Sequence, residues 1–503
     1  MTFEHFRAQA RRGALVPVWR DCLLDTDTPV SAFSKLRRGP FAFLLESAPA
    51  GGETWARYTF LGTEPRGAWR LREGRVEDWT PERGWHGARR PADPLADLRE
   101  LIAAYEPVES PELGAFWSGA VGYFGYDVVR LIERLPEAPP PPRGVDVPDA
   151  LFVFTRALVI IDNLHSRARV VVGVPVDTEE ESALRSAYGD AHSEIDSVIA
   201  RLHAPSNLTP LELDPEAEPA CGKSSYTREK FERDVDRIRE YILAGDAFQV
   251  LLSRRIEVPL DFDPTSLYRA LRALNPSPYM YHLALDGVEL VGSSPELLVR
   301  VANGRVTVRP IAGTRPRGLT AEDDERLEAD LLADEKERAE HVMLVDLGRN
   351  DVGRIAEFGT VRVSDLMTVE RYSHVLHIVS QVDGMLAEGA SAVDVFRATF
   401  PAGTMTGAPK VRAMEIVYEL EPERRGPYAG AIGYIAAGDR RMDLAITIRT
   451  CVIANGTASV QAGAGIVADS VPSSEWKETE NKARALLTAV GRVRGSGGKA
   501  GRD

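Results

Sequence analysis

Three cysteines in 503 residues, Cys22, Cys221 and Cys451, are widely spaced and form no Cys-x-x-Cys pair. A disulfide scaffold and a cysteine zinc site are thereby excluded, and a reducing, cytoplasmic compartment is expected. No apolar run reaches the ~18 residues of a membrane span. The first residues, Met1 to Arg7, include Glu4 and lack the apolar stretch of a signal peptide. Positive charge is also short: 61 Lys and Arg face 75 Asp and Glu, for a net charge of −14. That balance argues against nucleic acid and against an anionic membrane as partners. There is no Gly-x-x-x-x-Gly-Lys-Ser/Thr loop and no internal repeat. What is present, 44% hydrophobic and 27% charged residues, suits a soluble globular chain with ample core.

Strand-length apolar runs occur at 41–45, 119–126, 151–154, 157–161 and 169–174. The proline-rich stretch 135–148 excludes a helix or an inner strand and reads as a surface connection. Residues 179–202 read as a helix, and 204–225, rich in Pro, Ser and acidic residues, as a linker. Beyond it, helices are predicted at 228–244, 264–274, 320–346 (with a break), 392–399, 410–419 and 474–489. Strands are predicted at 248–256, 279–285, 290–293, 297–301, 305–308, 430–435, 443–453 and 457–462. Strands in adjacent, hairpin-like pairs imply an α+β class, mostly antiparallel sheets with packed helices. The expected organisation is an N-terminal region, 1–203, a linker, 204–225, a catalytic region, 226–495, and a flexible tail, 496–503.

Two distant segments repeat Glu-x-x-Glu: Glu337 with Glu340, and Glu475 with Glu478. Residues three apart share a helix face. Two such faces turned together would gather four carboxylates, a costly arrangement without a hard divalent cation such as Mg²⁺. A solvated helix face is the commoner reason for such spacing. Four clusters of Gly with hydroxyl or small residues lie in the same half, at 292–296, 311–315, 401–410 and 462–465. Glycine lets backbone N–H groups approach an anion, although each cluster alone is also an ordinary turn. With Arg449 nearby in sequence, the set points to a small polyanion bridged by metal.

Longer strings carry a resemblance. They include Tyr241 to Ser253, Asn275-Pro-Ser-Pro-Tyr-Met280, Pro310-Ile-Ala-Gly-Thr-Arg-Pro-Arg-Gly318, Glu340 to Asp351, Val375-Leu-His-Ile-Val-Ser380, Pro401 to Lys410 and Gly463 to Lys482. The chain resembles the chorismate-utilising enzymes over about 225–490. Within them it is most similar to the large subunits of anthranilate synthases. The resemblance implies that Glu340 and Glu478 are Mg²⁺ ligands and that Glu337 and Glu475 act through water. It implies that Thr314, Lys482 and backbone groups at Gly463 and Gly465 hold the ring carboxylate of chorismate, with Tyr428 and Arg449 on the enolpyruvyl carboxylate. Glu296 would be the general acid, Thr404 would line the site, and His377 would serve loss of the C2 proton and of pyruvate. The implied chemistry is ammonia attack at C2, departure of the C4 hydroxyl, then elimination of pyruvate.

Gln249 stands where isochorismate-forming members use a lysine to activate water, and Ala312 where aminodeoxychorismate synthases use a nucleophilic lysine. Both substitutions favour anthranilate formation. A relative that stops at an amino intermediate, or a catalytically silent tryptophan-sensing protein, remains the alternative. In the first half, Leu44-Leu-Glu46-Ser47 with Pro278, Tyr279 and Met280 resembles the tryptophan feedback pocket of such enzymes. The chain lacks a Gly-x-Cys-x-Gly elbow. Glutamine use would need a separate glutamine amidotransferase subunit, so a hetero-oligomer is expected, while the chain alone would take free ammonium.

Overall fold

The computed structural model describes residues 1–47, 57–135, 142–372 and 375–497. Part of the expected proline-rich connection, 136–141, and the end of the expected tail, 498–503, lie outside the described residues. Two large sheets face each other. Among the described residues one has 13 strands and the other 12, and their ladders are antiparallel except for the short pairing of Glu106–Pro107 with Ala14–Leu23. Helices cover both outer faces, so the α+β expectation is borne out.

The core forms in three layers. Between the sheets pack Phe41, Phe43, Leu158, Tyr281 and Leu290 from the first and Val121, Tyr123, Leu151 and Ile432 from the second. Alternate residues of the first sheet, such as Leu44, Val170 and Val460, face the helices Glu181–His203, Pro264–Leu274 and Pro472–Gly497. The second sheet turns Phe124, Val299 and Leu444 toward helices Pro94–Ile102, Glu335–Gly353 and Ala392–Thr399. Strands buried on both faces need near-continuous apolar runs, as in Gly119–Phe124, which is buried throughout.

Each sheet runs through both sequence regions. Phe41–Glu46 pairs with Tyr279–Leu285, and Gly119–Phe124 pairs with Ala431–Ala436. Two neighbouring strands pass from one sheet to the other. Val288–Ser294 lies in the first sheet and Leu297–Ala302 in the second, joined through Pro295 and Glu296. Met442–Ile446 lies in the second and Thr450–Ala454 in the first, joined through Thr447 to Arg449. The two crossings touch: Ile446 N–H donates to Glu296 O at 3.0 Å, and Ser293 N–H to Arg449 O at 3.1 Å.

The predicted helix over 320–346 is two helices, Ala321–Ala333 and Glu335–Gly353, divided at Asp334. The Asp334 carboxylate caps the second, accepting from Lys336 N and Glu337 N. The last helix, Pro472–Gly497, is longer than predicted. Three strands, Gly67–Arg72, Arg75–Thr80 and Gly84–Arg89, and the hairpin pair Arg362–Arg371 and Val375–Met385 were not predicted. Among the described residues no helix is long and apolar enough to cross a membrane.

Candidate active site

The seam where the strands change sheets places two chemically unusual groups. Glu296 is buried, and its carboxylate accepts one hydrogen bond, from Thr404 Oγ1 at 3.0 Å. Thr404 comes from the 3₁₀ turn Gly403–Met405, part of one glycine cluster. Burial pushes the Glu296 carboxyl up to about 8, against the opposing pulls of Thr404 and the more distant Lys482 charge. Arg449, on the second crossing, has a left-handed backbone at φ 50°. Burial lowers its pKa, and the Tyr428 ring oxygen is the neighbour that counters this. Among the described residues no carboxylate pairs with the Arg449 side chain, so its fork is available to a carboxylate from outside.

His377 sits on the Val375–Met385 strand, directly opposite Thr314 on Ile311–Pro316. The ladder is bulged at Gly313, whose φ of 66° suits glycine. The bulge turns the Gly313 carbonyl onto His377 Nδ1 at 2.8 Å, with Thr314 Oγ1 at 3.2 Å. A carbonyl only accepts, so Nδ1 carries the proton and Nε2 keeps its lone pair. Burial lowers the His377 pKa, with the Arg449 and Lys482 charges acting in the same direction. The imidazole is therefore neutral near pH 7 and competent as a base.

Gly463 and Gly465 lie on strand Thr457–Ile466, opposite Ser253 and Leu251. A Cβ at Gly465 would stand 2.5 Å from Gln249 Nε2, and one at Gly463 2.9 Å from Leu252 O. Gln249 uses that Nε2 to donate to Glu340 at 3.2 Å. Lys482 bonds Gly463 O at 3.0 Å and pairs with Glu478 at 2.7 Å.

Both Glu-x-x-Glu pairs are helical: Glu337 and Glu340 on Glu335–Gly353, Glu475 and Glu478 on Pro472–Gly497. Burial raises Glu337, with Glu340 adding to it, and burial raises Glu475, with Glu478 adding to it. Lys336 feels both Glu340 and Glu475, which makes it an electrostatic link between the two helices. Among the described residues no three acidic, His or Cys side chains converge closely enough to hold a metal. Arg315 approaches Glu337 at 3.4 Å. Protein cations thus offset part of this negative charge.

The remaining expected residues lie outside this cluster. Glu46 is buried on strand Phe41–Glu46, with Ser47 just past its end. Met280 stands opposite Glu46, and Tyr279 and Pro278 precede it. Glu46 is fully engaged: Arg272 binds it in a fork at 2.8 and 2.7 Å, and Tyr268 donates at 2.8 Å. Sequence reasoning missed Arg272 and Tyr268, for which position in the Pro264–Leu274 helix was the one available signal. It also missed the buried pair Arg425–Glu421 at 2.8 Å, whose Arg425 donates to Met405 O at 2.6 Å and so anchors the Thr404 turn.

Comparisons with known proteins point to one family. The sequence profile described as "chorismate binding enzyme" matches residues 43–488. The chain is 47% identical over 493 residues to anthranilate synthase component 1 of Aquifex aeolicus, covering 97% of each chain. It is 49% identical over 495 residues to that of Pseudomonas aeruginosa, covering 97% of this chain and 98% of the relative. The crystal structure of anthranilate synthase component I from Streptococcus pneumoniae superposes with a TM-score of 0.76 at 37% identity, over 93% of this chain and 99% of that one. The menaquinone-specific isochorismate synthase of Escherichia coli, at 19% identity and a TM-score of 0.67, shares the fold over 97% of this chain and 98% of its own.

Proposed function

The chain belongs to the chorismate-binding enzymes, and we propose that it converts chorismate and ammonia to anthranilate and pyruvate, as the synthase subunit of an anthranilate synthase. The observation that carries this reading is the seam itself. A protonated buried acid, Glu296, and a neutral base, His377, share a site with an unpaired Arg449. The names of the relatives support the choice of product.

In the proposed mechanism Arg449 and Tyr428 hold the enolpyruvyl carboxylate. Lys482, Thr314 and the backbone around Gly463 and Gly465 hold the ring carboxylate. Glu296, protonated near neutral pH, gives its proton to the C4 oxygen as that hydroxyl leaves and ammonia bonds to C2. Burial keeps this acid protonated and so available at neutral pH, while the Thr404 hydroxyl offsets part of the cost of the carboxylate left behind. Thr404 donates to the carboxylate that results. His377 Nε2 then takes the C2 proton; the electron pair aromatises the ring and expels the enolpyruvyl group, which leaves as pyruvate.

In its chemistry, though the side chains have not converged, the donor set suits Mg²⁺: oxygen ligands alone, with two carboxyls raised by burial and by their acidic neighbours, a cost that a cation relieves. Glu340 and Glu478 would hold the ion directly, and Glu337 and Glu475 through water. When bound, the ion would neutralise and orient the ring carboxylate.

Neither Cys22 nor Cys451 is activated for glutamine hydrolysis. Cys451 is buried, with its thiol pushed up to about 12, burial raises Cys22, and Cys221 is exposed. Ammonia is therefore proposed to come from a separate amidotransferase subunit. We also propose that tryptophan inhibits the enzyme through the pocket of Glu46, Ser47, Pro278, Tyr279 and Met280. Arg272 already occupies Glu46, so the ligand's ammonium has to displace or share it.

The test is anthranilate fluorescence from the purified chain with chorismate, Mg²⁺ and ammonium. A signal that EDTA abolishes supports the reaction and the metal. Chorismate consumed without anthranilate would overturn the product assignment, and a signal that persists in EDTA would overturn the metal.

A further inference from the structure

Ser293 is fully buried and lies between the proposed regulatory pocket and the active site. On adjacent strands Glu46 stands opposite Met280, and Met280 opposite Ser293. Directly opposed residues of antiparallel strands project from the same face. Glu46, Met280 and Ser293 therefore form one row. The next strand is reached by a main-chain bond, Ser293 N–H to Arg449 O at 3.1 Å. From Glu46 to Arg449 is three strand spacings, each about 4.8 Å.

The two ends of Ser293 hold different partners. Its hydroxyl donates to Asn275 O at 2.5 Å, lies 2.9 Å from Ser277 Oγ and accepts from Asn275 Nδ2 at 3.2 Å. Those partners belong to the segment that leads into Pro278 and Met280, and Asn275 ends the helix carrying Tyr268 and Arg272. Its N–H fixes the carbonyl of a residue in the left-handed region, where an arginine stays only when its surroundings hold it. A hydroxyl has one proton, so a shift of the Asn275–Ser277 backbone changes what Ser293 can bond.

We propose that Ser293 is a positioning residue for Arg449 and the relay by which occupancy of the regulatory pocket weakens chorismate binding. The relay rests on the tryptophan reading given above. When the ligand's ammonium displaces Arg272 from Glu46, the arginine and the end of its helix move. The Asn275–Ser277 segment follows, the Ser293 bonds rearrange, and Arg449 loses the support that presents its fork to the enolpyruvyl carboxylate. By linkage, chorismate then weakens tryptophan binding by the same factor.

The experiment is calorimetric titration of the full chain with L-tryptophan, with and without saturating chorismate and Mg²⁺, ammonium being omitted so that no amination proceeds. Wild type is expected to bind tryptophan at least about tenfold more weakly when chorismate is present. Ser293→Ala is expected to bind tryptophan alone within about threefold of wild type, while chorismate changes that affinity less than about threefold. In steady state its KM for chorismate rises and kcat stays within about twofold, a split expected when substrate positioning alone is loosened. Ser277→Ala, which removes one bond of the same hydroxyl, gives a smaller loss of coupling and serves if Ser293→Ala does not fold. Wild-type coupling in both variants would overturn the relay and leave the helix contact between Pro264–Leu274 and Pro472–Gly497 as the route. An unchanged KM in Ser293→Ala would overturn the positioning role. Absence of tryptophan binding to wild type would instead overturn the regulatory reading and the relay with it, with KM still deciding the positioning role.

Discussion

Glu46 and Glu296 are buried almost equally, at 6% and 8% exposure, yet one is surrounded by donors and the other is not. Arg272 and Tyr268 together give Glu46 a cationic fork and a hydroxyl. Glu296 has a single hydroxyl, from Thr404, and no bonded cation. A buried carboxylate in the first setting is matched by a cationic fork and fixes two elements together. In the second it keeps its proton and can donate it. The same contrast separates the arginines, since Arg272 is paired with a carboxylate and Arg449 is not. Burial sets the cost in both regions, and the partners decide between structure and chemistry.

The largest effect expected from breaking this comparison is in Glu296→Gln. Glutamine matches the shape of the protonated acid but has no proton to give, so anthranilate formation falls roughly 10²–10⁴-fold. Thermal stability below about pH 4, where the unfolded carboxyl is protonated too, stays close to that of wild type. The sign follows from the raised pKa. A carboxyl held protonated in the fold destabilises the native state progressively as pH rises from the unfolded value, about 4.3, through about 8. Glu296→Gln is therefore already more stable than wild type at neutral pH and more so at alkaline pH, as denaturant titrations at both would register. If the two proteins kept the same stability difference at both pH values, Glu296 would be ionised throughout.

Glu46→Gln acts on stability instead. It leaves Arg272 with a neutral partner, and because that arginine is 40% exposed a loss of about 1–3 kcal/mol is expected. Chorismate turnover without tryptophan remains. A melting curve unchanged from wild type would mean that the Arg272–Glu46 fork contributes nothing net.

The smallest effect is in Thr404→Val. The Thr404 hydroxyl favours the Glu296 carboxylate, so its removal moves the alkaline limb of the kcat/KM profile to higher pH. The acid limb, set by His377, stays below the ordinary histidine value of about 6.5 because burial and the nearby Arg449 and Lys482 charges lower it. A downward move of the alkaline limb in Thr404→Val would contradict the assignment of that limb to Glu296.

Much of this was legible in the sequence wherever short-range chemistry decides. Asp334, followed three residues later by Glu337, marks a helix start, and the Glu-x-x-Glu pairs are on helices as their spacing requires. Gly313 sits at a bulge where its φ is needed. The clusters around Glu296 and Thr404 named residues that do bond to each other, and His377 lies within reach of the Arg449 and Lys482 charges. The joining of the two sheets was not legible. Arg272 and Glu46 are 226 positions apart, and Thr404 and Glu296 are 108 apart, so no local pattern connects them. Strand Arg362–Arg371 buries Val363, Met367 and Val369 only in part, and its ladder slips twice, which erased the period-two signal. Strand Gly84–Arg89 has no fully buried residue and carries Arg and His.

The measurement that tests the account most directly is the protonated-carboxyl stretch in infrared difference spectra of wild type minus Glu296→Gln across a pH series. The account predicts a band present at neutral pH that disappears as pH passes through about 8. A difference spectrum with no such band at neutral pH would show Glu296 ionised there, and the distinction between the two buried glutamates would fall.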